Sequence, residues 1–175
     1  MNPSPVHRLV LVGALLCLSG PALAESFFVE LKGFEEVPSI STPARGSFTA
    51  VLNAQAGTIA YQLSYSGLQG DVRQAHIHFG QRGVNGGVSV FLCDTSFNPD
   101  PTDLAPTCPQ SGTVSGILRA NNVIGPAAQG LSATEFVELK RAIRHGVAYV
   151  NVHSTTFPGG ELRGQLNAWR NVLGF

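Results

Sequence analysis

The stretch GSFTAVLNAQAGTIAYQLSY, residues 46–65, sets the architecture. Phe48, Ala50 and Leu52 fall on alternate positions, and after a break containing Asn53 and Gly57 so do Ile59, Tyr61, Leu63 and Tyr65. A strand turns successive side chains to opposite faces, so a period of two marks strands with one buried face. The same rhythm, interrupted by Gly, Pro and Asn, recurs at 26–32, 72–79, 88–92, 113–118, 147–153 and 161–168. Eight short strands separated by turn signals predict an all-β, antiparallel sandwich or barrel. One segment departs from the pattern. In LSATEFVELKRAIRHG (131–146), Ser132 precedes Glu135 by three positions, and Phe136, Leu139 and Ile143 follow at helical spacing. Basic residues and Gly146 close it, which predicts one short amphipathic helix near 132–145 over an end of the sheet.

Residues 1–24 read as a signal peptide. A short basic start (His7, Arg8) leads into an apolar run from Leu9 to Leu18, and the small residues Ala22 and Ala24 close it. That run is too short to span a bilayer comfortably. The expectation is a periplasmic or secreted domain over 25–175, long enough for one sizeable core. Eleven basic and eleven acidic residues balance, with no basic cluster, which argues against nucleic acid or acidic lipid as partner. No later stretch is apolar enough to cross a membrane. Beyond the leader the cysteines are Cys93 and Cys108, flanking a Pro-rich loop. In an oxidising compartment a disulfide is the natural reading. The alternative, two thiolate metal ligands, lacks a C-x-x-C pattern.

The chemistry-bearing residues are histidines. AHIH (75–78) supplies His76 and His78, and NVHS (151–154) supplies His153. In 72–79, Ala75, Ile77 and Phe79 share one face while Gln74, His76 and His78 share the other. In 147–153, Ala148, Val150 and Val152 oppose Tyr149, Asn151 and His153. All three imidazoles therefore point away from the apolar core, onto a face expected to be solvated. Imidazoles at i and i+2 of a strand can reach one ion, so the three residues form a candidate metal site if their strands are neighbours.

LKGFEEVPSISTPARGSFTAVLN, AHIHFGQRGVNGGVSVFLC and AYVNVHSTTFPGGELRGQL together resemble the CHRD domain, found in chordin and in many exported bacterial proteins. The resemblance covers essentially all of 25–175 and implies a β-sandwich, without implying a single activity. A weaker resemblance links the chain to copper/zinc superoxide dismutase, a Greek-key β-barrel with an H-x-H strand motif, a distant copper-binding histidine and a disulfide-pinned loop. His76 and His78 match the H-x-H, and His153 matches the distant ligand. The histidines are too few for a two-metal site of that kind. A fourth ligand would be His145 or water, and His145 is already explained by the end of the helix.

The chain beyond the leader has no methionine, so a soft Cu(I) chaperone site is not expected; an imidazole set suits Cu(II) or Zn(II), with copper ahead on intrinsic affinity. Glu161 and Arg163, close after His153, read as a solvated charge pair. Asp94, Asp100 and Asp103 fit no calcium-loop pattern. FGQRGVNGG (79–87) reads as a turn, and no nucleophile elbow or phosphate loop occurs. The sequence therefore supports an exported copper-binding β-sandwich that handles copper rather than turning over a substrate. A copper-only superoxide dismutase-like enzyme and a metal-free structural or adhesive module are the alternatives.

Overall fold

The alternation at 46–65 becomes a hairpin in which Phe48 lies opposite Leu63 and Ala50 opposite Tyr61. The computed structural model describes residues 25–166; the signal peptide assigned to 1–24 lies outside them, as do the last two residues of the eighth expected strand. The strands are β1 (Glu25–Lys32), β2 (Arg45–Asn53), β3 (Thr58–Ser66) and β4 (Val72–Phe79), then β5 (Gly87–Cys93), β6 (Gly112–Leu118), β7 (Ala148–Ser154) and β8 (Leu162–Leu166). All eight expected strands form, with ends moved by a residue or two. They make one antiparallel sheet in the order β5-β4-β7-β8-β1-β2-β3-β6. Chain neighbours β3 and β4 are far apart in this order, while β6 joins β3 and β7 joins β4: a Greek-key connection.

The two end strands, β5 and β6, approach each other and nearly close the sheet into a barrel. Two ties close this seam. The Tyr61 hydroxyl on β3 donates to the Leu92 carbonyl on β5 at 2.5 Å. Its ring passes over Gly116 of β6, where a Cβ would stand 2.7 Å from the hydroxyl, so only glycine leaves the path open. Cys93 and Cys108 form the disulfide expected of them. Their approach shields strand edges that would otherwise invite pairing with another chain.

The barrel interior is apolar. Leu31, Phe48, Leu63, Ile77, Leu92, Val150 and Leu162 are all essentially inaccessible, and each such side chain contributes roughly 1.5–3 kcal/mol by leaving water. The helix α1 (Phe136–Arg144) begins four residues later than the Ser132 start expected. Thr134 sits at φ 67°, a left-handed conformation that breaks a helix, though the Glu135 carboxylate still accepts the Ser132 N–H at 2.6 Å. Phe136, Leu139, Ala142 and Ile143 face inward, and the helix packs beside β7. Among the described residues no helix is long and apolar enough to cross a membrane.

Candidate metal centre

β4 and β7 are direct neighbours. Their register sets His76 opposite Asn151, His78 opposite Tyr149 and Gln74 opposite His153. On the far side of β7, Asn151 pairs with Arg163 and Tyr149 with Gln165 of β8. A band of polar side chains therefore runs across three strands on the face opposite the core, where the alternation placed it.

That face is not solvated, which corrects the sequence expectation. His76, His78 and His153 keep 1%, 8% and 5% of their exposure. Glu161 and Arg163, expected to be a solvated pair, are fully buried and do not pair with each other. The covering comes from loops. The β4–β5 connection, the glycine-rich turn of the sequence, folds over the band and is held by Arg163, whose guanidinium donates to the carbonyls of Gln81 (3.2 Å) and Val84 (2.9 Å) and to Asn85 Oδ1 (3.2 Å). Gln165 Nε2 donates to the Gly80 carbonyl at 2.9 Å. The β1–β2 loop joins this cover through Asn85 Nδ2 to the Val37 carbonyl (2.9 Å) and the Arg82–Glu35 ion pair. From the β7–β8 loop, Glu161 Oε1 accepts from Thr42 Oγ1 at 2.6 Å and the Gln69 N–H at 2.9 Å, clasping three loops together.

Under this cover the imidazoles converge. His76 Nδ1 and His153 Nε2 are 3.2 Å apart, and one ligand atom from each histidine lies within 4.8 Å of the others. Two nitrogens bound tetrahedrally to one ion at about 2.0–2.1 Å would stand about 3.3–3.4 Å apart. His78 Nδ1 lies 2.9 Å from the Gly86 carbonyl and His153 Nδ1 3.0 Å from the Pro158 carbonyl. A carbonyl only accepts, so each Nδ1 carries the proton and each Nε2 presents its lone pair. This is how backbone groups orient metal-ligating imidazoles. The Nε2 atoms of His76 and His78 are buried with no hydrogen-bond partner. Phe91 meets the His76 ring edge-on at 4.2 Å, and Tyr149 stacks on His78 at 4.8 Å. Arg163 lies 3.4 Å above the Tyr149 ring.

Burial holds all three imidazoles neutral. It is the largest cause that pushes His76 down to about 2, with His153 and His78 adding to it. His78 falls to about 4, through burial first and Arg163 beside it, against the Gly86 hydrogen bond. His153 also falls to about 4, by burial and then by His78 and Arg73, opposed by its bond to Pro158. A neutral imidazole is the form that binds a metal.

Residues the sequence did not single out complete the surroundings. Glu36, in the β1–β2 loop, is buried and accepts a hydrogen bond from Asn151 Nδ2 at 2.7 Å. Burial raises its carboxyl to about 7, against the pull of Arg163. Gly160 makes room for this contact, since a Cβ there would come within 2.5 Å of both Glu36 Oε1 and Asn151 Nδ2. The one available signal was a long polar run at alternate positions in 149–153 and 161–165, and an ordinary solvated face has the same pattern. His145 is not part of the cluster; it ends α1, its N–H bonded to the Arg141 carbonyl at 2.9 Å. Asp94, Asp100 and Asp103 do not converge as a cation site. Asp100 is buried, and its carboxylate accepts from Thr102 N, Thr102 Oγ1, Leu104 N and Ala105 N, organising the disulfide loop.

The family model described as the CHRD domain matches residues 27–166. No curated protein and no solved structure matches the chain.

Proposed function

The chain belongs to the CHRD domain family, and we propose that it is an exported protein that binds copper through His76, His78 and His153, in copper handling rather than catalysis. The observation that carries this reading is the pair of backbone carbonyls, Gly86 and Pro158, that hold the proton on Nδ1 and leave the Nε2 lone pairs of His78 and His153 free in a cluster with His76. The buried, partnerless Nε2 of His78 costs free energy unless something occupies it. An imidazole-only ligand set suits copper or zinc, and copper binds such a set more strongly. Handling is favoured over turnover because the Nε2 atoms of His76 and His78 have no contact with solvent, whereas a reactant must reach a catalytic ion.

The test is metal content and affinity of residues 25–175 beside His76→Ala, His78→Ala and His153→Ala. A single copper ion per chain is expected, with affinity falling at least about 100-fold, or about 2.7 kcal/mol, in every variant. Zinc bound in place of copper would change the metal and keep the site. Equal, weak binding in all four proteins would overturn the reading in favour of a metal-free structural module. Superoxide consumption by the copper-loaded protein would overturn the handling role in favour of an enzyme.

A further inference from the structure

We propose that the three-histidine site selects its ion by charge and holds copper as Cu(I), a monovalent d¹⁰ ion, rather than as Cu(II) or Zn(II). The inference rests on the copper reading above and names the oxidation state. Ligand type alone favours a divalent ion, but that preference assumed a wet site, where water stabilises a double charge. Here the ion would sit under the β4–β5 and β7–β8 loops. The cost of desolvating an ion grows with the square of its charge, about fourfold from +1 to +2.

A buried divalent ion is normally balanced by carboxylates or thiolates among its ligands. This cluster has neither: it presents three neutral imidazoles, and both cysteines are in the disulfide. The charged groups around it are cationic. On the β8 side, the Arg163 guanidinium lies over Tyr149, which itself stacks on His78. On the β4 side, Arg73 adds positive potential at His153. The two buried carboxylates are engaged elsewhere. Glu36 is bound to Asn151 and coupled to Arg163, and Glu161, which is not in the ligand group, accepts from Thr42 and the Gln69 N–H through Oε1 while its buried Oε2 has no partner. A +1 ion in this setting asks for little compensation, and three imidazoles can supply the low coordination number that Cu(I) accepts.

Competition titrations on residues 25–175 test this directly. The probes are Ag(I) as a redox-inert monovalent ion, Cu(I) under anaerobic ascorbate against a chromophoric chelator, and Zn(II). His153→Ala reports whether binding uses the cluster. Ag(I) and Cu(I) are expected to bind at least about 100-fold more tightly than Zn(II), with all binding lost in His153→Ala. Gln74→Glu supplies the missing charge. Gln74 shares the face of His76 and His78, lies opposite His153 and is only partly buried. The substitution keeps its shape and is expected to narrow the gap between Ag(I) and Zn(II) at least about tenfold. Zn(II) matching Ag(I) in the wild type, with both lost in His153→Ala, would overturn the charge argument and leave the three-histidine site standing. Binding of no ion, or binding unaffected by His153→Ala, would overturn both.

Discussion

Mild acid should weaken the metal-free fold, and the buried histidines set by how much. An unfolded histidine titrates near 6.5, whereas His76, His78 and His153 stay neutral in the fold down to about 2, 4 and 4. Between pH 6.5 and 4 the unfolded chain therefore binds protons that the folded chain refuses. Stability from these groups is fully present above pH 6.5 and drains away as the pH falls. At pH 5 each histidine costs about 2 kcal/mol relative to pH 7.5, so the cluster costs about 6 kcal/mol against a typical total of 5–15. Glu36 works in the opposite direction. Its folded pKa is raised to about 7 from 4.5, so it contributes stability at low pH that is lost as the pH rises through 7, and acidification to pH 5 returns about 2 kcal/mol. The net loss is about 4 kcal/mol.

The assay is urea unfolding of metal-free, disulfide-intact protein at pH 7.5 and 5.0. With a slope of about 2 kcal/mol per molar, the midpoint should fall by about 2 M at the lower pH. Glu36→Gln should widen the difference by about 1 M, and His153→Gln should narrow it by about 1 M. Copper should raise both midpoints and leave the difference between them largely in place, because that difference arises from histidines protonating in the unfolded chain while the folded imidazoles are neutral at both pH values. Coincident midpoints for the wild type at the two pH values would refute the reasoning, since they would mean that the imidazoles accept protons without leaving the fold.

Two further expectations concern the seam of the barrel. Reducing Cys93–Cys108, which spans 15 residues, should lower stability by about 3 kcal/mol in the chain-entropy model, read as a fall in urea midpoint on adding reductant. Asp100→Ala strands the N–H groups of Thr102, Leu104 and Ala105 and should cost about 3 kcal/mol of thermal or chemical stability, with a far smaller effect on metal affinity than any histidine variant because the Asp100 carboxylate bonds within its own loop.

The strands were legible because the core obeys a local rule. Phe48-Ala50-Leu52 and Ile59-Tyr61-Leu63 declare a period of two whatever the rest of the chain does, and the same rule placed His76, His78 and His153 together on the opposite face. The start of α1 was less legible, because the left-handed turn at Thr134 overrides a capping pattern that still forms its side-chain hydrogen bond. What local pattern cannot express is a second layer made of loops. A polar face under a loop and a polar face under water have the same alternation, and the difference depends on contacts such as Arg163 with Gln81 and Val84, or Asn151 with Glu36, between residues far apart in sequence. That hidden layer decides the chemistry. On a wet face three imidazoles would protonate near neutral pH and admit any ion that likes nitrogen. Beneath the loops they stay neutral into acid, Gly86 and Pro158 fix the tautomers of His78 and His153, and on the proposal above the charge of the incoming ion would be the quantity on which the site discriminates.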